Sequence, residues 1–461
     1  MKALDHLRGR PVGVLGMARS GIAVARALSA AGASVHVFDD RPQAFDDLAL
    51  KGMQVGRIEH VPGLDLIVAS PGVPFTHPAP HPLFVAARNA NVPVTCDIDL
   101  FARPLREQGH RLIAVTGTNG KSTTTALVHH LLLSAGKRAV IGGNIGLPVF
   151  ELKPPSKPTV YVLEISSFQL DLCTTLRPDI AIWMNLTPDH LDRHGDLAGY
   201  VRAKSRIFAR MEREDLAIVC VDDEESREVA ASLDGRMKVR TFGRSEDAAC
   251  RIEGERLEAG AFGRFDLSGL ASLRGAHNVD NAAAAALALA ALDVDPMTVR
   301  AGMLGFRSLP HRAEEVASIR HVRFVNDSKA TNPVAATRSL STYSDIHWIA
   351  GGKPKPGGFA ELLPYMKSVR HAYLIGEAAD EIARTIDGKV PWSLHADLAE
   401  AMNAARDDAL ALDVEEATVL LAPACASFDQ FRSYEERGDR FREIARAMAA
   451  RAVPGLFGGA A

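Results

Sequence analysis

Short apolar runs alternate with helix-like segments in three successive stretches of this 461-residue chain, and that rhythm constrains the fold more than any single motif. From residue 11 the runs PVGVLGM, SVHVFDD, LDLIVAS and VPVTCD are separated by helical segments, the first over about Ser20 to Ala31. Strands that alternate with helices predict βαβ units and parallel sheets. A polar stretch from Ala102 to Arg111 reads as a linker. The pattern then restarts with RLIAVTG, a long helix over Lys121 to Ala135, RAVIGG, TVYVLEIS, DIAIWMN and DLAIVCVDD. Such near-continuous apolar strands suit a sheet covered on both faces. Residues 237–275 read as short strands with Gly turns, a small β appendage, and helices follow over Asn278 to Leu292 and about Pro296 to Leu304. The alternation begins a third time near Ser308 with HVRFVNDS, DIHWIAGG, HAYLIG and ATVLLAP. The expectation is an α/β protein of three domains, residues 1–104, 105–308 and 309–461, in line with roughly 100–200 residues per domain.

Composition narrows the function classes. At 47% hydrophobic and 24% charged residues, the chain falls outside the disordered, collagen-like and disulfide-scaffold classes. Its 53 Lys and Arg against 56 Asp and Glu lack the basic excess of a nucleic-acid binder, so any polyanion site is local. The longest apolar run, Ala282 to Leu292, is shorter than the roughly 18 residues that suggest a membrane span. The opening MKALDHLRGRPVG has no apolar core after its basic residues, so it does not read as a secretory signal, and a cytoplasmic location is expected. Cys96, Cys173, Cys220, Cys250 and Cys425 are odd in number, widely spaced and without a C-x-x-C pair, which fits reduced core thiols better than disulfides or a zinc site.

The sharpest local signal is RLIAVTGTNGKSTTTALVHHLLLSAG: an apolar strand, a Gly-rich turn, and Lys-Ser opening a helix. Backbone N–H groups and the helix dipole at such a terminus favour phosphate. Lys121 would reach the β/γ-phosphates and the Ser122 hydroxyl would ligate Mg²⁺. The loop is a short variant, because Val115 stands where the longer phosphate-loop motif has its first Gly. In the first stretch Gly13, Gly16 and Gly21 do not make G-x-G-x-x-G, although Asp39 or Asp40 lies at the distance a ribose-binding acid would. That weakens a dehydrogenase reading and leaves a phosphate-binding turn near Arg19 and Ser20, or a plain strand-to-helix turn. Glu164 ends a buried strand, a common place for a Mg²⁺-binding carboxylate and also for a merely solvated one. NLTPDHLDRH packs Asp189, His190, Asp192 and His194 together, as a metal or phosphate site or a polar loop would. Taken alone, Lys204 reads as a surface helix lysine, and His277, Asn278 and Asn281 as a helix N-terminus with Asn at cap or first-turn positions. VNDSKATNP, IAGGKPKPGGF and LAPACASFDQF each follow an apolar strand of the third stretch, and strand carboxyl ends line the ligand crevice of open α/β sheets. Cys425 has no His nearby in sequence and reads as a small buried thiol.

Taken in order, VASPGVP, TGTNGKST, GGNIG, LEISSFQL, NLTPDHLDRH, GAHNVDNAAAA, LPHR, NDSKATN, GGKPKPGGF and PACASFDQF resemble the Mur ligases, from about Gly13 to Gly438, and most closely the glutamate-adding branch. The resemblance implies a Rossmann-like N-terminal domain for a UDP substrate, a central P-loop ATPase-like domain, and a Rossmann-like C-terminal domain for the amino acid. It implies ATP-dependent amide bond formation between D-glutamate and UDP-N-acetylmuramoyl-L-alanine through an acyl phosphate, by a cytoplasmic monomer with no nucleic-acid partner and no membrane span. On the matching positions, ATP falls to Gly117, Thr118, Asn119, Gly120, Lys121, Ser122 and Thr123, with Asn281, Arg312 and Asp327. Mg²⁺ falls to Ser122 and Glu164, with a second ion near His190 and Lys204, the latter carbamylated. Arg19, Ser20, Asp40, Arg41, Gly72, Asn144 and His190 fall on the UDP substrate, and Thr331, Lys355, Ser427 and Tyr434 on glutamate. Lys121, His190, Lys204 and Lys329 carry the catalysis. Tyr434 stands where the family pattern has Phe, and Lys353 crowds the Lys355 turn. The alternatives are a sister ligase adding another amino acid, or a nucleotide-binding protein without ligation.

Overall fold

A computed structural model describes residues 2–46, 51–153, 155–355 and 357–452. The first sheet is formed by β1 (Pro11–Leu15), β2 (Ser34–Phe38), β3 (Gln54–Val55), β4 (Leu66–Ala69) and β5 (Val94–Thr95), all parallel, in the order β3-β2-β1-β4-β5. The order reverses beside β1, and such a reversal opens a crevice at the strand carboxyl ends.

The second sheet holds β6 (Arg111–Thr116), β7 (Ala139–Gly143), β8 (Val160–Glu164), β9 (Ile180–Trp183), β10 (Leu216–Cys220) and β11 (Lys238–Gly243). The expected appendage completes it as β12 (Cys250–Glu253), β13 (Arg256–Glu258) and β14 (Arg264–Asp266). The order is β14-β13-β12-β11-β10-β9-β6-β8-β7, antiparallel only among the last three strands in sequence. The third sheet comprises β15 (Glu314–Ile319), β16 (Val322–Asn326), β17 (Ile346–Gly351), β18 (Val369–Ile375), β19 (Trp392–Leu394) and β20 (Ala417–Leu421), ordered β15-β16-β20-β17-β18-β19, with β15 antiparallel to β16.

Two compact units hold these sheets. Residues up to Asp266 with Asn278–Gly305 carry the first two, and Leu267–His277 with the residues from Phe306 onward carry the third. In the first unit one continuous core joins Val12, Val14 and Ile67 to Leu112, Tyr161 and Trp183. In the second, alternate residues feed two cores: Trp348, Leu374 and Leu420 enter one, Ile349, Tyr373 and Leu421 the other. Period-two burial on both faces is why these strands read as unbroken apolar runs.

The stretch read as a linker is anchored structure. Helix Asp97–Ala102 runs into its start, Leu105 is buried, and the Arg106 guanidinium donates to Asp179 at 2.8 Å and also to Asp215. Leu105 and the Arg106 ion pairs fasten it, while most of its other polar residues are exposed. The Ala-rich helix begins earlier than expected, at Ala276, and ends at Ala290. Asn278 therefore lies in the first turn, one of the positions expected, and Asn281 lies beyond it in the helix; both are buried.

Candidate active site

The phosphate loop connects β6 to helix Lys121–Ser134. Gly117 and Gly120 adopt φ of +149° and +81°, a region that L side chains rarely enter. A Cβ on Gly120 would lie 2.5 Å from Asn281 Oδ1, so the loop closes directly on that amide. Asn281 Oδ1 also accepts from Thr124 Oγ1 at 3.0 Å, while its Nδ2 donates to Asn278 Oδ1 at 2.9 Å. Asn185 braces the other side, accepting from the Thr118 and Asn119 N–H groups through its carbonyl and Oδ1, each at 2.9 Å. Lys121 Nζ donates to the carbonyls of Gly117 at 3.0 Å and Thr118 at 2.8 Å, which holds its ammonium against the loop. Ser122 is buried and Thr123 follows it in the first helical turn.

Lys204 is not a surface lysine. It is 1% exposed on helix Leu197–Ser205, and its Nζ donates to the Gly117 carbonyl at 2.7 Å, beneath the same loop. Burial, and then Lys121, push its ammonium well below the ordinary lysine range, against the pull of Asp189 and Glu164. Glu164 ends β8 at 2% exposure. Its Oε1 accepts from Asn144 Nδ2 at 2.7 Å, whereas its buried Oε2 has no hydrogen-bond partner among the described residues. An ionised buried oxygen without a donor is costly, and oxygen of this type is what Mg²⁺ selects. Asn144, expected on the UDP substrate, here orients Glu164.

The histidines of NLTPDHLDRH take separate roles. His190 lies at φ +53° before the short helix Leu191–His194, exposed, with its ring 4.8 Å from that of Phe168. Burial lowers its pKa, and Lys121 and Lys204 add to the effect while Asp189 opposes it. His194 stacks on Phe168 at 5.5 Å, bonds Ser167 Oγ at 3.0 Å, and is held down to about 4, chiefly by burial. Among the described residues, no three His, Cys, Asp or Glu converge as a metal cluster. Arg193 donates to the carbonyls of Gly72 and Val73, each at 3.1 Å, and so ties this segment to the turn after β4.

At the first sheet's reversal, Gly16 has φ +89°, and a Cβ on Gly21 would sit 1.8 Å from the Gly16 carbonyl oxygen, so the helix packs onto the turn without room for a side chain. Arg19 and Ser20 open helix Arg19–Ala30 there. Of the two candidate acids, Asp39 closes the turn: it accepts from the Met17 N–H at 2.6 Å and the Arg41 side chain at 2.9 Å. The Arg41 hydrogen bond holds its carboxyl down to about 2. Asp40 is exposed and bonds His81 Nε2 at 3.0 Å.

In the second unit Asp327 follows β16 and accepts from Ser339 Oγ and, at 3.2 Å, from the Ala313 N–H, while burial pushes its carboxyl up. Arg312 contributes the opposing positive charge. Lys329 Nζ lies 3.8 Å from the Tyr434 ring centroid, a cation–π contact, with Thr331 two residues on. The backbone of Lys353 pairs with Ala426, which places it beside the buried Ser427, and the side chains of Lys353 and Lys355 are exposed. Cys425 is buried, its thiol pushed up to about 12 by desolvation, so it is no nucleophile.

Two family models match the chain, the Mur ligase middle domain over residues 115–289 and the Mur ligase glutamate ligase domain over 311–425. The chain is 43% identical to the UDP-N-acetylmuramoylalanine–D-glutamate ligase of Rhodospirillum rubrum, covering 98% of both chains, and 45% identical to that of Rhizobium etli, covering 96% of both. The chain belongs to the Mur ligase family. The solved structure of UDP-N-acetylmuramate–alanine ligase MurC from Thermotoga maritima shares the fold with a TM-score of 0.59 at 19% identity, over 95% of this chain and 100% of that one. MurF from Acinetobacter baumannii gives 0.59 at 19% identity, over 76% and 79%.

Three side chains that organise this Mur ligase escaped the sequence reading. Asn185 sits in NLT and could have been suspected from its place at the end of an apolar strand. Phe168 contacts both histidine rings. Arg437, 1% exposed on helix Tyr434–Ala452, donates to Ser328 Oγ and the Ser328 carbonyl at 3.0 Å each and to the Cys425 carbonyl at 3.1 Å. Burial lowers its pKa to about 10, against the pull of Cys425 and Asp429. No local pattern distinguishes it from the surface arginines beside it.

Proposed function

We propose that this Mur ligase joins D-glutamate to UDP-N-acetylmuramoyl-L-alanine with ATP, in peptidoglycan precursor synthesis. The near full-length identity to D-glutamate ligases supports the substrates. One feature of the site carries the chemistry: a buried lysine and a buried carboxylate with a free oxygen lie at the phosphate loop, which nucleotide binding alone does not require. A carboxylate is a poor acyl donor. Its attack on the γ-phosphate gives ADP and an acyl phosphate; the glutamate amine then adds to the acyl carbon, loses a proton, and the tetrahedral intermediate expels phosphate.

The loop N–H groups of 117–123 and Lys121 hold the phosphates and oppose the charge that develops on them. Ser122 and Glu164, with His190 and Lys204 at a second position, are the residues that would hold Mg²⁺, which when bound neutralises phosphate charge. The depressed Lys204 pKa favours the neutral amine, the form that adds CO₂ to give a carbamate and a proton. Asn281, Arg312 and Asp327 serve the nucleotide. Arg19, Ser20, Asp40, Arg41 and Gly72 serve the UDP substrate, with Asn144 acting through Glu164. Thr331, Lys355, Ser427 and Tyr434 serve glutamate, and Lys329 assists the transfer. The stretches 1–104, 105–308 and 309–461 serve the UDP substrate, ATP and amino acid in turn, in a cytoplasmic monomer; among the described residues no helix is long and apolar enough to cross a membrane. Phosphate release from ATP with UDP-N-acetylmuramoyl-L-alanine, comparing D-Glu with L-Glu, Ala and diaminopimelate, tests the reading: release with D-Glu alone is expected, and release with another amino acid instead overturns it.

A further inference from the structure

The carboxyl ends of the central strands carry the phosphate loop. Their opposite ends line a cavity of ≈ 920 Å³ that none of the residues assigned above touches, within the roughly 300–1,000 Å³ of small-molecule pockets. Strand register builds it. Leu216 of β10 pairs with Lys238 of β11 and Ile180 of β9, and Ile180 pairs with Ile113 of β6, so these four form a row across four strands. Period two brings Arg240 and Arg111 to the same face, and both line the cavity. Leu287 and Leu292, near the end of helix Ala276–Ala290, complete an apolar floor with Ile113, Ile180 and Leu216.

Charge is unevenly settled here. Asp179, Glu214 and Asp215 line the cavity, and each is held by a guanidinium: Arg106 bonds Asp179 and Asp215, and Arg177 bonds Asp215 and Glu214. Among the described residues, no ion pair or side-chain hydrogen bond engages Arg111, Lys238 or Arg240, all exposed at the mouth. An adjoining hollow of ≈ 450 Å³ shares Arg111 and Leu292 and adds Lys137 and Arg138. Unmatched cations around an apolar floor suit a ligand with both characters, since the floor gains by excluding water and the cations gain charge-assisted hydrogen bonds.

We propose that this cavity is a second ligand site, for a phosphate, sulfonate or carboxylate anion borne on an apolar body. The body lies on Ile180, Leu216 and Leu292, and the anion meets Arg111, Lys238 and Arg240. Because the site lies at the far ends of the strands from the phosphate loop, its occupant does not compete with ATP.

The test uses 1-anilinonaphthalene-8-sulfonate, a fluorescent anion on an apolar body, titrated into the full chain with saturating UDP and a non-hydrolysable ATP analogue. One saturable site is expected, displaced by dodecyl phosphate and far less by inorganic phosphate. The triple variant Arg111→Ala, Lys238→Ala, Arg240→Ala should bind at least about tenfold more weakly while releasing phosphate from ATP at the wild-type rate. Ala291→Trp, which obstructs the cavity and leaves the cations, should weaken the probe similarly. Unchanged probe affinity in both variants, or loss of the probe on adding the ATP analogue, overturns the site. Displacement by inorganic phosphate as effective as by dodecyl phosphate overturns the apolar half of the assignment.

Discussion

Acidification should destabilise the second unit through His347, and the hydrogen bonds around it fix both the sign and the size. His347 is 2% exposed on β17, beside Tyr373 of β18 and Asp408. Tyr373 donates its hydroxyl hydrogen to Asp408 Oδ2 at 2.6 Å, so the contact of 2.9 Å with His347 Nδ1 has the imidazole donating to the phenol oxygen. That assigns the bare nitrogen to Nε2, which is buried and without a partner. Protonating it would bury a charged N–H with no acceptor. Burial accordingly lowers its pKa to about 4, with Asp408 opposing and His371 and Arg370 assisting. Unfolded, the same side chain titrates near 6.5. The neutral form is thus favoured in the fold: the stabilisation is complete above about pH 6.5, falls as the pH drops through the window, and is gone below about 4. Between pH 7.5 and 5 the loss is about 2 kcal/mol, and over the whole window about 3.4 kcal/mol, at 1.36 kcal/mol per pH unit. Urea unfolding at both pH values, followed by the near-ultraviolet signal of Trp348, should show His347→Gln losing about 2 kcal/mol less than wild type over that interval, whatever its stability at pH 7.5. An identical loss in the two proteins would refute the reasoning.

Lys121→Ala should abolish ATP turnover with the fold intact by circular dichroism, because its charge acts chiefly in the transition state; near wild-type phosphate release would refute the loop assignment. Lys204→Ala should be inactive and partly recover with added acetate, whose oxygens replace those of a carbamate, and full activity without acetate would leave the buried amine a structural role only. Lys355→Met should raise the apparent glutamate KM roughly 10- to 150-fold, from about 1.5–3 kcal/mol for a hydrogen bond to a charged group. In that variant ATP binding should change far less, and an unchanged glutamate KM would shift the role to Lys353. Gly21→Val should prevent folding of the first unit or cost it several kcal/mol, since a side chain there meets the Gly16 carbonyl; a melting temperature within a degree or two of wild type would contradict that packing.

The βα rhythm and the phosphate loop were legible because both are local: a strand covered on two faces must be apolar throughout, and a loop that turns at φ +81° must have glycine. Residues whose role depends on distant partners were not. Lys204 sits in a polar helical sequence, and its burial arises only when β6 and β8 bring Gly117 and Glu164 over it. Asn281 reads as a cap or first-turn residue because Asn favours those positions, whereas its amide oxygen accepts from Thr124, far away in sequence. The segment 102–111 resembles a linker because most of it is polar and exposed, and the acids that fasten Arg106, Asp179 and Asp215, lie far away in sequence. Arg437 is one arginine among several on a charged helix, and only the third dimension separates it from them.

That arginine has a consequence for glutamate capture. Its hydrogen bonds go to carbonyl and hydroxyl dipoles of the turns after β16 and β20, and drawing those turns apart would strand a guanidinium in the interior. Their spacing is therefore set when the chain folds. On the proposed assignment of Thr331 and Ser427 to glutamate, the ligand would meet a receptor whose ordering entropy was already met in folding, and discrimination between amino acids would rest on fit to a fixed frame rather than on a closing of these two turns.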